Sequence, residues 1–268
     1  MHNSLTARKV ILVTGSSSGR MAPRMRDCER YTNDFYATPG IGLATASSLL
    51  TAGAKVFGLD KADASPALAS LPSYHHYKAD LLDRSVAALA VTSCLAHFGP
   101  RIDGLLNVAG VVDGWASVDT LRDEDWDRIL GINVTAPTLL MRSVVPIMQQ
   151  FGGGSIVNVT STAAFSGGVA GVAYTASKHA LVGVTKQTAW RYRKDKIRVN
   201  AIAPGPTATG IADSVAQGSV DLEGMRTSRP VLGAQGVVMQ TGEGVMEASK
   251  VCDVLSAWLW QSLTVSHR

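Results

Sequence analysis

The chain of 268 residues has few cysteines: Cys28, Cys94 and Cys252. An odd number of widely spaced cysteines argues against a disulfide framework and is typical of a reducing compartment. The opening MHNSLTARKVILVTG has one short apolar run, VILV, which is too brief for a secretory signal peptide. No stretch of the sequence is expected to approach the length of a membrane span. We therefore expect a cytoplasmic protein that binds no membrane.

Aromatic residues are also scarce, at 6% of the chain, whereas there are 26 glycines, which suit tight turns more than stacking surfaces. Charged residues make up 17% of the chain, with a net charge of +4. The basic residues form no stripe. Those within 20–30 are mixed with acidic residues, and RYRKDKIR at 191–198 is typical of the solvated end of a helix. We therefore expect no nucleic-acid partner.

Short apolar segments rich in β-branched residues alternate with longer segments of helical period. The predicted strands are 9–14, 55–59, 74–78, 104–108, 155–160 and 197–202, and the predicted helices are 41–52, 84–97, 123–133, 137–150 and 174–192. This alternation predicts a mostly parallel sheet with helices on both faces. Without an internal repeat or a linker, residues 1–268 are expected to form one doubly wound α/β domain.

A glycine-rich turn follows the first predicted strand, but residues 20–40 interrupt it. If TGSSSG and IGLATA are joined, the turn consists of Gly15, Ser17, Ser18, Gly19, Ile41 and Gly42. In a doubly wound sheet this turn binds phosphate, because glycine lets the backbone approach the ligand and the following helix offers free N–H groups. Glycines at this place also suit a plain tight turn, so the turn alone leaves both interpretations open.

Asp60 directly follows the second predicted strand, at the end of KVFGLD. A carboxylate at this place can accept hydrogen bonds from an adenosine ribose and would repel a 2′-phosphate. This favours NAD over NADP, although Lys61 next to it carries the opposite charge. A plain acidic residue at a strand end is the alternative.

With the interruption set aside, the chain resembles the short-chain dehydrogenase/reductase family from about residue 9 to residue 260. The resemblance lies in the turn TGxxxGxG, in KADLL, NVAG, INVTAP and GSIVNVTSTAAFSG, in YTASK and in NAIAPGPTAT. It implies a Rossmann domain in which Asn133, Ser161, Tyr174 and Lys178 are catalytic. It also implies further cofactor contacts, beyond Tyr174 and Lys178, at Asp80, Leu81, Asn107, Ala109, Gly110, Pro204, Gly205, Thr207 and Thr209. The order and spacing of the four catalytic positions are far more specific than any one motif.

Tyr174 and Lys178 lie one helical turn apart, on one face of a predicted helix. A nearby ammonium favours the phenolate, so we expect the pKa of Tyr174 to be lowered toward neutrality. Lys178 is also expected to bind the nicotinamide ribose. Ser161 is placed to donate to a substrate oxygen, and the resemblance implies a water held by Asn133 that links Lys178 to solvent. A Ser–Lys hydrolase is the other enzyme considered, but NVTST is not a nucleophile elbow.

Residues 20–40 have neither helical nor strand period, and three interpretations remain open: an evolved lid, a neutral surface bulge or a retained intron. We favour the intron, because excision between the Gly19 and Gly40 codons keeps the reading frame and regenerates one glycine. The C-terminal part resembles the family's last helix, and we expect its final edge strand to be missing. A homodimer or a homotetramer is the expected assembly.

The sequence therefore predicts an NAD(H)-dependent oxidoreductase that interconverts a secondary alcohol and a ketone, or reduces another carbonyl, with Tyr174 as acid/base. The alternative is a non-catalytic nucleotide-binding or scaffold protein of the same fold, disabled by the insertion at 20–40. No metal site is expected, since the histidines lack ligand spacing. Residues 111–117, 165–172 and 211–246 are expected to determine which small alcohol or ketone binds.

Overall fold

The computed structural model describes residues 9–17, 40–234 and 246–255. Its strands are β1 Val10–Thr14, β2 Lys55–Asp60, β3 Tyr74–Lys78, β4 Gly104–Asn107, β5 Gly154–Val159, β6 Ile197–Ile202, β7 Thr207–Ala208 and β8 Met246–Glu247. Its α-helices are α1 Ile41–Thr51, α2 Pro66–Ala69, α3 Val86–Phe98, α4 Asp123–Leu130, α5 Ala136–Gln150, α6 Val172–Tyr192 and α7 Leu222–Ala234. A π-helical turn, Gly131–Thr135, joins α4 to α5.

The main sheet has the strand order β3-β2-β1-β4-β5-β6, and every neighbouring pair is parallel. The order reverses between β1 and β4, which form the switch point of a doubly wound sheet. β7 and β8 pair separately from it. The predicted fold class, an α/β Rossmann-type sheet with helices on both faces, is therefore confirmed.

Alternate residues of the central strands pack into two separate cores, one on each face of the sheet. Leu12, Leu105 and Ile156 belong to the core with α3 and α5. Ile11, Leu106 and Val157, each next in the chain to one of these, belong to the core with α1. Fully burying an aliphatic side chain of this size contributes about 1.5–3 kcal/mol to stability. Burial of these side chains therefore stabilises the packing of the helices on both faces of the sheet.

The predicted strands 74–78 and 197–202 have the observed bounds, and the other four begin and end within a residue of them. The helices predicted at 123–133 and 137–150 are instead one continuous helical stretch, because the π turn carries the backbone past Asn133 without a break. Several elements were not predicted: the short helix α2, the strands β7 and β8, and the helix α7.

The joined stretch Asp123–Gln150 is long and apolar enough to cross a membrane by length and composition. The expectation that no stretch reaches that length is therefore wrong. Half of its most apolar window is buried inside the fold, where Leu140 and Val144 pack with Val91 of α3. One such helix is weak support for a membrane span, and core packing explains its composition.

The predicted insertion at 20–40 lies outside the described residues, apart from Gly40. Ser18 and Gly19 lie outside them as well. In the described part of the chain the main sheet ends with β6, and the predicted lack of a final edge strand concerns residues that are not described.

Candidate active site

The two halves of the interrupted turn meet in the structure. Gly15 has φ +74°, a left-handed conformation that favours glycine, and its N–H donates to the carbonyl of Leu59 at 2.9 Å. A Cβ on Gly42, the second residue of α1, would overlap the carbonyl oxygen of Gly15. A Cβ on Gly15 would lie 3.2 Å from the backbone of Ala109. The backbones of Gly15, Gly42 and Ala109 therefore pack closely together at the carboxyl ends of β1 and β4.

The N terminus of α1 opens beside this convergence. Among the described residues, no side chain caps it. The N–H groups of a first helical turn have no partner within the helix, and the helix dipole favours negative charge there. Ile41 and Gly42 therefore offer backbone N–H donors where no side chain of the described residues caps the helix, and the arrangement fits the phosphates of a dinucleotide.

Asp60 closes the turn from the side. It is 8% exposed, and its two carboxylate oxygens accept from the backbone N–H groups of Ser17 at 2.8 Å and of Ala62 at 3.0 Å. The carboxylate therefore stands at the edge of the turn, where the sequence places the adenosine ribose.

A polar chain beside Asp60 was missed in the sequence. Ser16 Oγ lies 3.1 Å from the hydroxyl of Tyr74, which lies 3.4 Å from Nδ1 of His76. Ser17 Oγ lies 3.5 Å from the same nitrogen. A Cβ on Gly58 would overlap both Ser16 Oγ and the Tyr74 hydroxyl, so this contact requires a glycine there. No sequence motif marks these polar contacts, because Ser16 and Ser17 follow β1 whereas Tyr74 and His76 belong to β3, far away in the sequence.

Asp80 and Leu81 follow β3, at the same edge of the sheet. The carboxylate of Asp80 pairs with Lys61 Nζ at 2.7 Å and accepts from the N–H of Leu82 at 3.0 Å. The bond from Lys61 lowers the pKa of Asp80 most strongly. Asp80 thus engages Lys61, the cation that weakened the sequence argument for NAD.

The NVAG segment is tied to the glycine turn by Thr14. The Thr14 hydroxyl oxygen accepts from the backbone N–H groups of Val108 and Ala109, each at 3.0 Å. Asn107 is 4% exposed, and its Nδ2 donates to Asn158 Oδ1 of the neighbouring strand at 2.8 Å. Its side chain therefore links β4 to β5, and Thr14, absent from the predicted site, links β1 to NVAG.

Tyr174, Ser161 and Lys178 come together beyond the carboxyl end of β5. Tyr174 lies in the first turn of α6, and Ser161 lies just after β5, where its hydroxyl lowers the pKa of the phenol. Lys178 Nζ lies 5.3 Å from the centroid of the Tyr174 ring and donates to the carbonyl of Val159 at 3.0 Å. A Cβ on Gly110 would lie 3.5 Å from Lys178 Nζ, so NVAG borders the same space.

Asn133 is held by the π turn and is 1% exposed. Its Oδ1 accepts from the N–H of Val111 at 2.9 Å, and its Nδ2 donates to the carbonyl of Val111 at 2.9 Å and to Ser177 Oγ at 3.0 Å. A π turn in a helix often marks a functional site. Both amide protons thus join the π turn to α6 and to the segment after NVAG. The proton relay predicted for Asn133 stays a prediction.

The acid–base balance of the pair differs from the expectation. Burial raises the pKa of Tyr174 to about 12, the hydrogen bond with Ser161 lowers it, and the charge of Asp113 raises it. Burial lowers the pKa of the Lys178 ammonium to about 8. The predicted lowering of the Tyr174 pKa by Lys178 is therefore wrong for the chain alone, because burial raises the pKa of the phenol.

The segment after β6 lies across the same strand ends. The carbonyl of Pro204 accepts from the N–H of Thr162 at 3.0 Å, and the hydroxyl of Thr207 donates to the carbonyl of Gly205 at 2.9 Å. The hydroxyl oxygen of Thr209 accepts from the N–H of Ile211. These contacts place the segment beside the residues that follow Ser161.

The three segments expected to contact substrate meet one another where the structure describes them. The N–H of Val112 donates to Ser214 Oγ at 2.9 Å, and the N–H of Asp221 donates to the carbonyl of Gly114 at 2.7 Å. A Cβ on Gly168 would lie 2.7 Å from the side chain of Val231. Residues 235–245 of the third segment lie outside the described residues.

Comparison with known proteins supports the family resemblance that the sequence motifs indicate. The family model described as short chain dehydrogenase matches residues 37–219. The match begins after β1, so it leaves out the first half of the glycine turn.

Three fungal proteins illustrate the likeness in sequence. The short-chain dehydrogenase/reductase cdmF of Talaromyces verruculosus is 47% identical over 83% of this chain and 78% of its own length. The short chain dehydrogenase adrF of Penicillium roqueforti is 42% identical over 94% of this chain and 90% of its own. The short chain dehydrogenase ausX of Aspergillus calidoustus is 46% identical over 87% of this chain and 83% of its own length.

Two solved structures share the fold. Levodione reductase superimposes with a TM-score of 0.74 and 25% identity, covering 97% of this chain and 93% of that protein. A 3-ketoacyl-(acyl-carrier-protein) reductase from Brucella melitensis, complexed with NADH, also gives a TM-score of 0.74. The two proteins are 23% identical, and the match covers 97% of this chain and 94% of that protein.

Proposed function

Because the chain belongs to the short-chain dehydrogenase family, we propose that this oxidoreductase uses NAD(H) to interconvert a secondary alcohol and a ketone, or to reduce another carbonyl. One observation supports the proposal above the others: a phenol, a hydroxyl and a buried ammonium share one space beside a backbone cradle for phosphate. The solved protein at 25% identity is itself named a reductase.

The fit of a dinucleotide rests on the close backbone contact of Gly15 and Gly42, which a Cβ on Gly42 would disrupt, and on the N terminus of α1, which no side chain of the described residues caps. When bound, NAD(H) supplies the acceptor or donor of the hydride. Lys178 would hold the ribose nearest the reacting centre, and Asp60 the ribose at the other end. Asp60 is buried beside the turn and Lys61 is engaged by Asp80, so a 2′-phosphate would find an unfavourable charge there.

The proton is handled by Tyr174. In reduction its hydroxyl donates a proton to the carbonyl oxygen, and in oxidation its phenolate takes the proton of the substrate hydroxyl. The pKa of about 12 keeps the phenol protonated in the chain alone, which is the form that reduction requires. The Ser161 hydroxyl, next to the phenol, donates to the same substrate oxygen where negative charge develops. Lys178 is the cation that stabilises the phenolate in the opposite direction.

The purified chain can be tested by fluorescence titration with NADH and NADPH, and by a panel of secondary alcohols and ketones with both cofactors. We expect NADH to bind more tightly and at least one substrate to turn over. Tyr174→Phe should lower kcat by about a hundred- to ten-thousand-fold and leave NADH binding largely intact. Tyr192→Phe, at the other end of α6, is the matched control and should behave as wild type.

Full activity of Tyr174→Phe would overturn the acid/base assignment. NADH binding with no turnover of any substrate would favour the non-catalytic nucleotide-binding protein instead.

We also propose a cytoplasmic homodimer or homotetramer, as the resemblance to the family implies. Light scattering of the full chain tests the assembly, and a monomer would contradict it.

A further inference from the structure

A buried carboxylate, outside every motif above, contacts the start of the catalytic helix. Asp113 lies three residues after Gly110 and is 2% exposed. Its Oδ1 accepts from the N–H of Gly171 at 2.9 Å, and its Oδ2 accepts from the N–H of Tyr174 at 2.9 Å. One side chain thus satisfies two N–H groups at the N terminus of α6, where the helix itself supplies no acceptor.

The contact is close on both sides. A Cβ on Gly171 would lie 2.6 Å from Asp113 Oδ1 and 2.7 Å from the backbone N of Ala116. The carbonyl of Ala116 accepts from the N–H of Val172 at 2.9 Å. Between Asp113 and Ala116, Trp115 takes φ +64°, which is strained for a bulky residue. Residues 113–116 thus pack closely against the N terminus of α6, and the backbone of Trp115 is strained in this arrangement.

We propose that Asp113 is a positioning residue for the reaction, holding the Tyr174 backbone against the loop that borders the substrate and disfavouring the phenolate by its negative charge. The proposal rests on the proposed function, since it assigns a role relative to the acid/base Tyr174. It adds a carboxylate to a site whose predicted members are a phenol, a hydroxyl, an amide and an ammonium.

The charge can act because few other ionisable groups surround the phenol. Of the described residues, Lys178 approaches Tyr174 from its own helix and Asp113 from the loop, while Ser161 faces it as a neutral hydroxyl. After burial and the Ser161 bond, the charge of Asp113 is the next influence on the pKa of Tyr174, and it raises that pKa. Burial raises the pKa of Asp113 itself, whereas its bonds from backbone N–H groups lower it.

Basic groups near the loop are already paired. From α4, Arg128 reaches the carbonyl of Val112 at 3.5 Å, but it also pairs with Asp125 at 3.0 Å. Arg122 pairs with the same carboxylate at 2.7 Å. Asp125 therefore engages both arginines, while Asp113 is bonded to backbone N–H groups.

A purely structural helix cap would stabilise α6 without affecting proton transfer, so the test must separate the two. Asp113→Asn keeps the shape, removes the charge and leaves one N–H facing an NH2 group. We expect kcat to fall about tenfold with KM for the ketone and the affinity for NADH unchanged. We also expect the alkaline midpoint of the pH profile of reduction to move down by about half a pH unit, since the phenol loses a negative neighbour.

Asp125→Asn is the matched control, because it removes a carboxylate that is 4% exposed and does not bond to Tyr174. It should lower the melting temperature and leave the midpoint in place. Gly171→Ala is the second variant, because its methyl group displaces the carboxylate without removing the charge. It should lower kcat about tenfold with a smaller shift of the midpoint, and it decides the matter if Asp113→Asn does not fold.

A wild-type midpoint in folded Asp113→Asn, or a wild-type kcat in folded Gly171→Ala, would overturn the proposal. Either result, together with an inactive Tyr174→Phe protein, removes the role of Asp113 and leaves the proposed function standing. An active Tyr174→Phe protein removes the proposed function itself, so the two failures are distinguishable.

Discussion

Gly42 packs directly on the carbonyl of Gly15, although the predicted insertion separates them in the chain. The cradle at the switch point is therefore closed in the structure, with Ala109 on its third side. This contact argues against the interpretation that the interruption disables the turn, because the two glycines that must meet do meet.

Substituting Gly42 should break this contact. In Gly42→Ala the methyl group overlaps the Gly15 carbonyl, so the turn must open, and we expect NADH affinity to fall about tenfold or more. Gly183→Ala, in α6, is the matched control, since a Cβ there meets nothing within 4 Å. It should stabilise the protein by up to about 1 kcal/mol and leave binding unchanged. Fluorescence titration and thermal melts measure both. Wild-type affinity in Gly42→Ala would show that the cradle does not hold the dinucleotide.

Removing residues 20–40, so that Gly19 joins Ile41, should preserve the cradle. A shorter connection costs less closure entropy, so we expect the deletion variant to fold and to bind NADH as tightly as the full chain, or about threefold more tightly. Loss of NADH binding in the deletion variant alone would identify the segment as part of the site. A transcript that retains the corresponding bases would eliminate the intron interpretation.

Replacing Lys178 with an apolar residue should lower kcat and raise the free energy of unfolding. Burial lowers its pKa from 10.5 to about 8, so the folded chain without cofactor holds this ammonium at a cost near neutral pH. Lys178→Met should therefore raise the free energy of unfolding at pH 7 by up to about 3 kcal/mol, while kcat falls sharply. Lys186→Met, an exposed position on the same helix, is the control and should change stability little.

The pH dependence gives the sign of that effect. Between pH 8 and pH 10.5 the unfolded chain binds more protons at Lys178 than the folded chain, so this group makes stability rise with pH. The advantage of Lys178→Met should therefore be largest below pH 8 and disappear above pH 10.5. Urea unfolding of both proteins across this range measures the difference. An advantage that grows with pH would contradict the buried charge.

The Tyr74 hydroxyl should matter for the dinucleotide although it lies in β3. Tyr74→Phe removes the contacts to Ser16 and His76, which hold the first turn from its outer side. We expect a loss of about 1 kcal/mol in stability and about two- to fivefold in NADH affinity. Tyr77→Phe, on the same strand and packed against Phe57 on the other face, is the control. Equal effects of the two substitutions would assign Tyr74 a packing role only.

The sheet and the motif residues could be predicted because their signals are local. Strands such as Tyr74–Lys78 and Ile197–Ile202 are bounded by residues that change the period of the pattern. The glycines at 15 and 42, and the spacing from Ser161 to Tyr174 and Lys178, likewise need only the linear chain. Each of these signals can be read from the order of residues along the chain.

The remaining features depend on distant partners. The π turn at Gly131–Thr135 could not be predicted, since Asn133 is stabilised there by Val111 and Ser177. The pKa of Tyr174 could not be predicted from its distance to Lys178, because burial outweighs that charge. Asp113 carries no sequence signal beyond its place after NVAG.

The anchoring of residues 111–117 bears on how relatives acquire new substrates. Asn133 grips both backbone groups of Val111, and Asp113 binds the helix that carries Tyr174. This loop therefore cannot shift without also moving the backbone at Tyr174. In the described residues, α7 and the segment before it make no hydrogen bond to Tyr174 or Asn133. We therefore expect differences in substrate choice among relatives to lie mainly in that second segment.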